Sequence, residues 1–451
     1  MNAPPPPTPM ARRFPLPLAL AAALAAVLFP GCDSFLDLEP PDRLTDSVVI
    51  EDAEGARQAL IGSYTALQSR SYYGGTYLFM GDLSADNTVH GGTSVDYADA
   101  DANNLRAGNG AVEAMYSRLY YAISINNHIL EKVPGLTDLE ATEKNEILGE
   151  AHFLRALHHH NLVRLWGDVP VITQTIVSVE QSSQVSRAPV AEVYAQILDD
   201  LAQAEGLITN ATQTTQASLG SVRALRARVL LYNGDWAGAE QAAIAVEGMG
   251  YTLAPVYGTL FSATATTPED IFRVAFDAQS YNDIFYNYRL RREFRVAPEL
   301  LAAYSPTGDA RRTWNILTDS QGRVLGNKYR DTNGLEDVHV IRFAEVVLTR
   351  AEALARQGRL AEAVVQYNRI RVRAGLAAHV LGTDVTSEDE VLAAIWNERR
   401  LEFAFEGDRW PDLVRTGRVP TVMGIPATAA LYPIPQRELD IAPNMTQNPG
   451  Y

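Results

Sequence analysis

Residues 353–367, "ALARQGRLAEAVVQY", have an earlier counterpart in residues 229–243, "VLLYNGDWAGAEQAA". Both carry Gly-x-(Trp/Leu)-x-x-Ala, at Gly234, Trp236 and Ala239 and again at Gly358, Leu360 and Ala363. Glycine turns the chain between antiparallel helices, the large apolar residue fills the corner, and alanine lets the helices approach closely. This is the turn of a tetratricopeptide-like hairpin, a unit that buries its apolar face only by stacking on its neighbours. Two copies are clear, and long segments separate them. The expected fold class is therefore mostly α, a tetratricopeptide-like helical-hairpin scaffold with long irregular insertions.

Further helices are legible on either side. In residues 51–67, Ala56, Leu60, Tyr64 and Leu67 recur at helical spacing on one face. A helix is expected over about 111–133, closed by Pro134-Gly135, and another over 141–166, stopped by Gly167 and Pro170. The next begins after Ser186, with Pro189 in its first turn and Val190, Val193, Tyr194, Ile197, Leu201 and Ala204 on an apolar stripe. Residues 69–109 and 253–334 are rich in Gly, Asn, Asp, Ser, Thr and Tyr and show little helical periodicity. Long irregular segments in a folded protein commonly carry binding.

The one cysteine, Cys32, follows a three-part leader. Arg12 and Arg13 precede an uncharged apolar run over residues 18–29, and Pro30-Gly31 ends it. A membrane-spanning helix needs about 20 apolar residues, so this run reads as a secretory signal over 1–31. With Gly31 before it, Cys32 resembles the lipid-modified cysteine of a bacterial lipoprotein, although Phe29 stands where a leucine is usual; such a cysteine carries the acyl chains that anchor the mature protein. Hydrophobic residues at 47% and charged ones at 20% describe a folded globular body. With 38 basic against 54 acidic side chains the net charge is −16, which repels phosphate backbones and excludes nucleic acid as an expected partner.

Five ordered stretches resemble the SusD/RagB family of nutrient-binding outer-membrane lipoproteins. They are "CDSFLDLEP" (32–40), "GEAHFLRALHHHNLVRLWGDVPVI" (149–172), "IRFAEVVLTRAEALARQGRLAEAVVQYNRIRVRAGL" (341–376), "NERRLEFAFEGDRWPDLVRTG" (397–417) and "LYPIPQRELDIAPNMTQNPGY" (431–451). The resemblance implies a single SusD-like domain over 32–451, with an N-terminal part of about 32–220 and a C-terminal RagB/SusD part of about 221–451. It also implies a lipid-anchored protein on the outer face of the outer membrane. Such a protein binds an oligosaccharide or other oligomeric nutrient and passes it to a SusC-like, TonB-dependent transporter without cutting it. No cofactor or metal is expected.

Glu398, Glu402 and Glu406 recur every four residues, and paired carboxylates can hydrolyse glycosides. Interleaved Arg399, Arg400 and Arg409 favour an ion-pair network instead. His152 and the run His158-His159-His160 lack the spacing of helical metal ligands and are expected in or beside the core. Sugar binding calls for aromatic faces that stack on pyranose C–H groups and for planar polar groups that meet hydroxyls. Residues 71–97 and 280–294 combine both types, in loops that correspond to the family's ligand site. The expected contacts are Tyr72, Tyr73 and Tyr97 as stacking surfaces, with Asp86, Asn87 and His90 as polar partners, joined by Tyr281, Tyr286 and Arg289. Trp314 is a further possibility. Two other functions stay open: a surface-tethered glycoside hydrolase, and a structural lipoprotein that stabilises a transporter without touching ligand.

Overall fold

Most of the chain is helical in the computed structural model, which describes residues 50–261, 266–304 and 308–451 together with 1, 3 and 4. The expected signal peptide and lipidation site, Cys32, lie outside the described residues apart from the first few. Helix α1 (Ala53–Leu67) opens where the Asp52 carboxylate accepts the Gly55 N–H at 2.8 Å, satisfying one of the donors a helix start leaves free. Its expected face is realised, with Ala56, Leu60 and Leu67 buried and Tyr64 half-buried. Helix α2 (Thr76–Leu83), strand β1 (Thr88–His90) and helix α3 (Val95–Asp101) follow.

Helix α4 (Gly110–Lys132) is capped by Asn109, whose side-chain oxygen accepts the Ala111 and Val112 N–H groups. Helix α5 (Ala141–Trp166) ends at Gly167, which turns out at φ +72° as only glycine does without strain. Helix α6 (Val190–Leu207) buries Val193, Tyr194, Ile197, Leu201 and Ala204. Val190, placed on that stripe by spacing, is exposed because it is the first residue of the helix.

The repeated motif forms two helix pairs. They are α7 (Leu219–Tyr232) with α8 (Trp236–Glu247), and, after strands β2 (Asp270–Val274), β3 (Phe294–Val296), β4 (Ile316–Thr318), β5 (Val324–Gly326) and β6 (Val338–Arg342), α9 (Phe343–Arg356) with α10 (Leu360–Arg373). Gly234 and Gly358 both take φ near +75°, at +78° and +74°. Ala239 and Ala363 are fully buried, so both close approaches occur. Leu230, Leu231 and Ala239 share one apolar cluster with Ala353 of α9, and Trp236 and Leu198 pack on it. Each helix from α4 to α10 packs on its chain neighbour, so the pairs form a continuous stack. Helices α11 (Glu388–Phe403) and α12 (Arg409–Arg415) complete it.

The charge reading of residues 397–417 holds, with different partners. Glu398 meets Arg311 and Arg371, Glu402 meets Arg342, Arg373 and Arg311, and Glu406 meets Lys328 and Arg342. Interleaved Arg399 instead pairs with Asp412, and Arg400 and Arg409 with Asp86. Spacing along a helix shows which charges share a face, but the partner comes from whichever element packs there. Burial would raise the Glu402 carboxyl, yet Arg373, Arg342 and Arg311 hold it far below the usual carboxylate range.

The histidine run also lies in the core, on α5. His158, His159 and His160 are fully buried, and burial pushes the first down to about 3, the second to about 4 and the third well below its ordinary value. The insertion over 69–109, expected to be irregular, contains α2, of which Tyr77, Leu78, Phe79, Met80, Gly81, Asp82 and Leu83 are all buried. A two-turn helix buried all round has no polar face, so no periodicity betrays it.

Candidate functional site

The two stretches expected to bind meet in space. Strand β1 pairs antiparallel with β3, setting Thr88 opposite Val296 and His90 opposite Phe294. The Asp283 N–H donates to the Gly74 carbonyl at 2.8 Å. Glu293 is the knot between them. Its backbone carbonyl accepts the Gly91 N–H at 2.8 Å. Its carboxylate meets His90 Nε2 at 3.0 Å, the Thr93 and Ser94 N–H groups at 3.2 and 3.1 Å, and Arg291 at 3.0 Å. Burial would raise this carboxyl, but Ser94, His90 and Arg291 hold it below its ordinary range. A Cβ on Gly92 would lie 2.2 Å from the Glu293 carboxyl carbon, so a larger residue here would push that carboxylate from its partners.

Beneath lies a base of rings. Phe79 of α2 packs on Phe294 at 4.6 Å, Tyr97 of α3 on Phe294 at 5.0 Å, and Tyr288 on Phe79 at 5.7 Å and Phe405 at 5.3 Å. Above it, residues Tyr286–Arg291 form a π-helical turn closed by Arg292 in the left-handed region at φ +56°. Such turns displace side chains from regular helical register and recur at functional sites. This one leaves Tyr286 49% exposed. Tyr281 nearby is 47% exposed, and the Arg70 guanidinium lies over its ring at 5.2 Å, donates to its hydroxyl at 2.7 Å and pairs with Asp283 at 3.1 Å.

The β4–β5 hairpin supplies the next wall, with its residues Trp314 to Arg330. Arg289 donates to Asn327 Oδ1, and Asn327 Nδ2 donates to the Trp314 carbonyl at 3.0 Å. Arg330 donates to the same carbonyl at 2.8 Å and to the Asn327 carbonyl at 3.0 Å, with its guanidinium over the Trp314 ring at 3.5 Å.

Of the expected contacts, Tyr281, Tyr286 and Arg289 therefore share one surface, and Tyr97 and His90 lie half-buried at its base. Tyr97 meets the Thr76 hydroxyl at 3.0 Å, and His90 is spent on Glu293. The other four are corrected. Tyr72 and Tyr73 are 1% and 3% exposed, with both hydroxyls accepting from the Asn161 amide at 2.6 and 2.8 Å and Tyr72 also meeting His158 at 3.0 Å. They fasten the loop to α5 and present no free face. Asp86 is held between Arg409 at 2.7 Å and Arg400 at 3.0 Å. Asn87 is fully buried, donating to Asp82 at 2.6 Å and accepting from Arg400 at 3.0 Å. Arg70, Asn327 and Arg330 were not anticipated.

Residues 304–451 match the family described as SusD family, and residues 34–231 match the one described as starch-binding associating with outer membrane. The chain belongs to the SusD family. It is 26% identical to SusD-like protein P38 of Formosa agariphila, over 93% of this chain and 96% of that protein. To the starch-binding protein SusD of Bacteroides thetaiotaomicron it is also 26% identical, over 75% and 78%. Among solved structures, a laminarin-binding SusD-like protein superposes with a TM-score of 0.76 at 26% identity, covering 89% of this chain and all of that one.

The SusD motifs in this chain build the frame and not the exposed surface. Arg155 of "FLRA" grips Asp200 with two nitrogens at 3.0 and 2.6 Å, tying α5 to α6. Asp168 of "GDVP" accepts the Val190 N–H at 2.9 Å and starts α6. Tyr432 of "LYPIP" reaches Ser84 at 2.9 Å, and Trp166 donates to the Pro433 carbonyl at 3.0 Å. None of these touches Tyr281 or Tyr286.

Proposed function

We propose that this chain captures an oligomeric nutrient, a glycan, at the cell surface and hands it to a SusC-like, TonB-dependent outer-membrane transporter without cleaving it. In this reading Cys32 carries the lipid anchor, and the body described above faces outward. The observation that carries the proposal is the pair of half-exposed rings, Tyr281 and Tyr286, beside Arg289 on a braced aromatic base. Pyranose C–H faces stack on such rings, and guanidinium N–H groups meet ring hydroxyls. The starch-binding and laminarin-binding relatives support the same ligand class.

The site's carboxylates argue against hydrolysis. A glycosidase places two carboxyl groups about 5 to 9.5 Å apart across the scissile bond, one of them kept protonated. Here Asp283 is paired with Arg70, Glu293 with Arg291 and His90, and Asp319 with Arg323. Glu336 is pushed up to about 7 by burial, but it is 5% exposed and accepts the Arg330 backbone N–H at 2.6 Å.

Titration calorimetry against a panel of soluble oligosaccharides, with chromatography of the same mixtures, tests the proposal. At least one glycan should bind, and none should be shortened. Replacing Tyr281 and Tyr286 together with alanine should weaken binding about 5- to 150-fold, at roughly 0.5–1.5 kcal/mol per ring, without lowering the melting temperature. Steady release of shorter products would overturn it. Full binding by the double variant would favour a purely structural role for this surface.

A further inference from the structure

In a chain of net charge −16, residues 289–295 read "RLRREFR", four arginines with one glutamate. Two of the four are neutralised locally, Arg291 by Glu293 at 3.0 Å and Arg292 by Asp319 at 3.7 Å. Arg289 has no carboxylate partner among the described residues, and its guanidinium is held by the neutral Asn327 amide. Arg330 is in the same position. It is steadied by two backbone carbonyls and the Trp314 ring, and it makes no ion pair among the described residues. Glu336, beside it, spends its carboxylate on the Arg330 backbone N–H and is only partly charged at neutral pH.

Both guanidiniums are half-buried, and both bond to Asn327. Burial lowers the pKa of each, and Arg289 lowers that of Arg330 further, as expected of two neighbouring like charges, while Glu336 offsets only part of it. The contrast with the rest of the fold is plain, since the deeply buried Arg228, Arg311, Arg342, Arg399 and Arg415 all sit on carboxylates. Partly desolvated cations without a protein counterion are stabilised when a ligand brings one, and guanidinium forks match carboxylate and sulfate oxygens.

We propose that Arg289 and Arg330 form a receptor for an anionic group carried by the bound glycan, so that the nutrient is an acidic oligosaccharide bearing uronate carboxylates or sulfate esters. The inference rests on the glycan-capture reading above. Tyr286, three residues before Arg289 on the same turn, supplies the stacking face for the sugar ring that bears or adjoins the charge. Trp314 and Asn327 hold the two guanidiniums in place before ligand arrives, which reduces the ordering cost of binding.

Calorimetry on the folded body with matched pairs of probes tests this. One arm compares oligogalacturonate with its carboxyl-reduced form, and the other compares carrageenan oligosaccharide with its desulfated form. In at least one arm the charged member should bind about tenfold or more tightly than its neutral counterpart, the gain expected of charge-assisted hydrogen bonds. The arm that responds names the anion. That advantage should shrink between about 50 and 500 mM NaCl and disappear in Arg289→Gln with Arg330→Gln, whose melting temperature should match the parent. Equal binding of charged and neutral members, still dependent on Tyr281 and Tyr286, would overturn the inference and leave glycan capture standing. If no glycan of either kind bound, both would fall.

Discussion

Replacing Glu402 with glutamine keeps the shape of the side chain and removes one charge from the centre of the fold. Glu402 is fully buried and takes Arg342 Nη1 at 2.6 Å, Arg373 Nη2, and Arg311 Nη1 at 3.5 Å. The surrounding ion pairs join five cations (Arg311, Lys328, Arg342, Arg371, Arg373) to five anions (Glu269, Asp309, Glu398, Glu402, Glu406), so the charges balance. Glu402→Gln leaves one buried cation in excess, and removing one partner of a buried pair costs about 3–5 kcal/mol. With an unfolding entropy of roughly 2.1 cal/mol/K per residue over about 400 residues, that lowers the melting temperature by about 4–6 °C. Differential scanning calorimetry at pH 7 reads it directly, with Glu54→Gln on the exposed face of α1 as a control that should move by less than about 1 °C. The carboxyl is held below its ordinary value in the fold, so the stability it confers is present above about pH 4.3 and is lost as pH falls toward its folded-state value. The gap between parent and variant should therefore narrow in acid. A variant that melts within about 1 °C of the parent at pH 7 would refute the reasoning, because the three arginines would then need no counterion.

Two further outcomes follow from buried groups. Neither ring nitrogen of His160 has a hydrogen-bond partner among the described residues, and the ring packs on Tyr232 at 5.1 Å and Tyr194 at 6.3 Å, so His160→Phe should stabilise by about 1 kcal/mol or more at pH 7.5. Burial depresses the folded-state pKa, so the histidine's stability is complete above about 6.5 and is lost on acidification; the variant's advantage should widen from pH 7 to pH 5, and melts showing a constant difference would count against it. At the seam between α2 and the turn after α11, a Cβ on Gly81 would lie 2.0 Å from the Gly407 carbonyl oxygen, itself on a residue at φ +81°. Gly81→Ala should cost about 3 kcal/mol or more, as overpacking against backbone does, and a urea midpoint equal to the parent's would show that the seam can yield.

How far the site was legible depended on which property a residue needed. Tyr281, Tyr286 and Arg289 stand out in the sequence because aromatic and cationic residues crowd a segment without periodicity, and the fold leaves the two rings half-exposed and Arg289 half-buried. Tyr72 and Tyr73 come from an equally aromatic stretch, yet they are buried on α5. Composition does not distinguish a ring that meets solvent from one that meets a distant helix. Asp86 and Asn87 went the same way, because Arg400 and Arg409, more than 300 residues further on, reach back to claim them. Arg330 gave no local signal, since its placement depends on Trp314 beneath it and on the absence of an ion pair to its guanidinium among the described residues.

What the amino-acid order determined alone is the helical frame: Gly234 and Gly358 at two matching turns, the stop at Gly167, and Glu398 and Glu402 one turn apart on α11. Those are short-range matters of φ, ψ and helical pitch, decided within a few residues of each position. Which of the tyrosines face water, which arginines answer Glu398, Glu402 and Glu406, and that Arg289 and Arg330 meet at Asn327 without an ion pair among the described residues were decided only by tertiary packing. Burial and electrostatic pairing depend on distances through space, and side chains hundreds of residues apart in the chain set them.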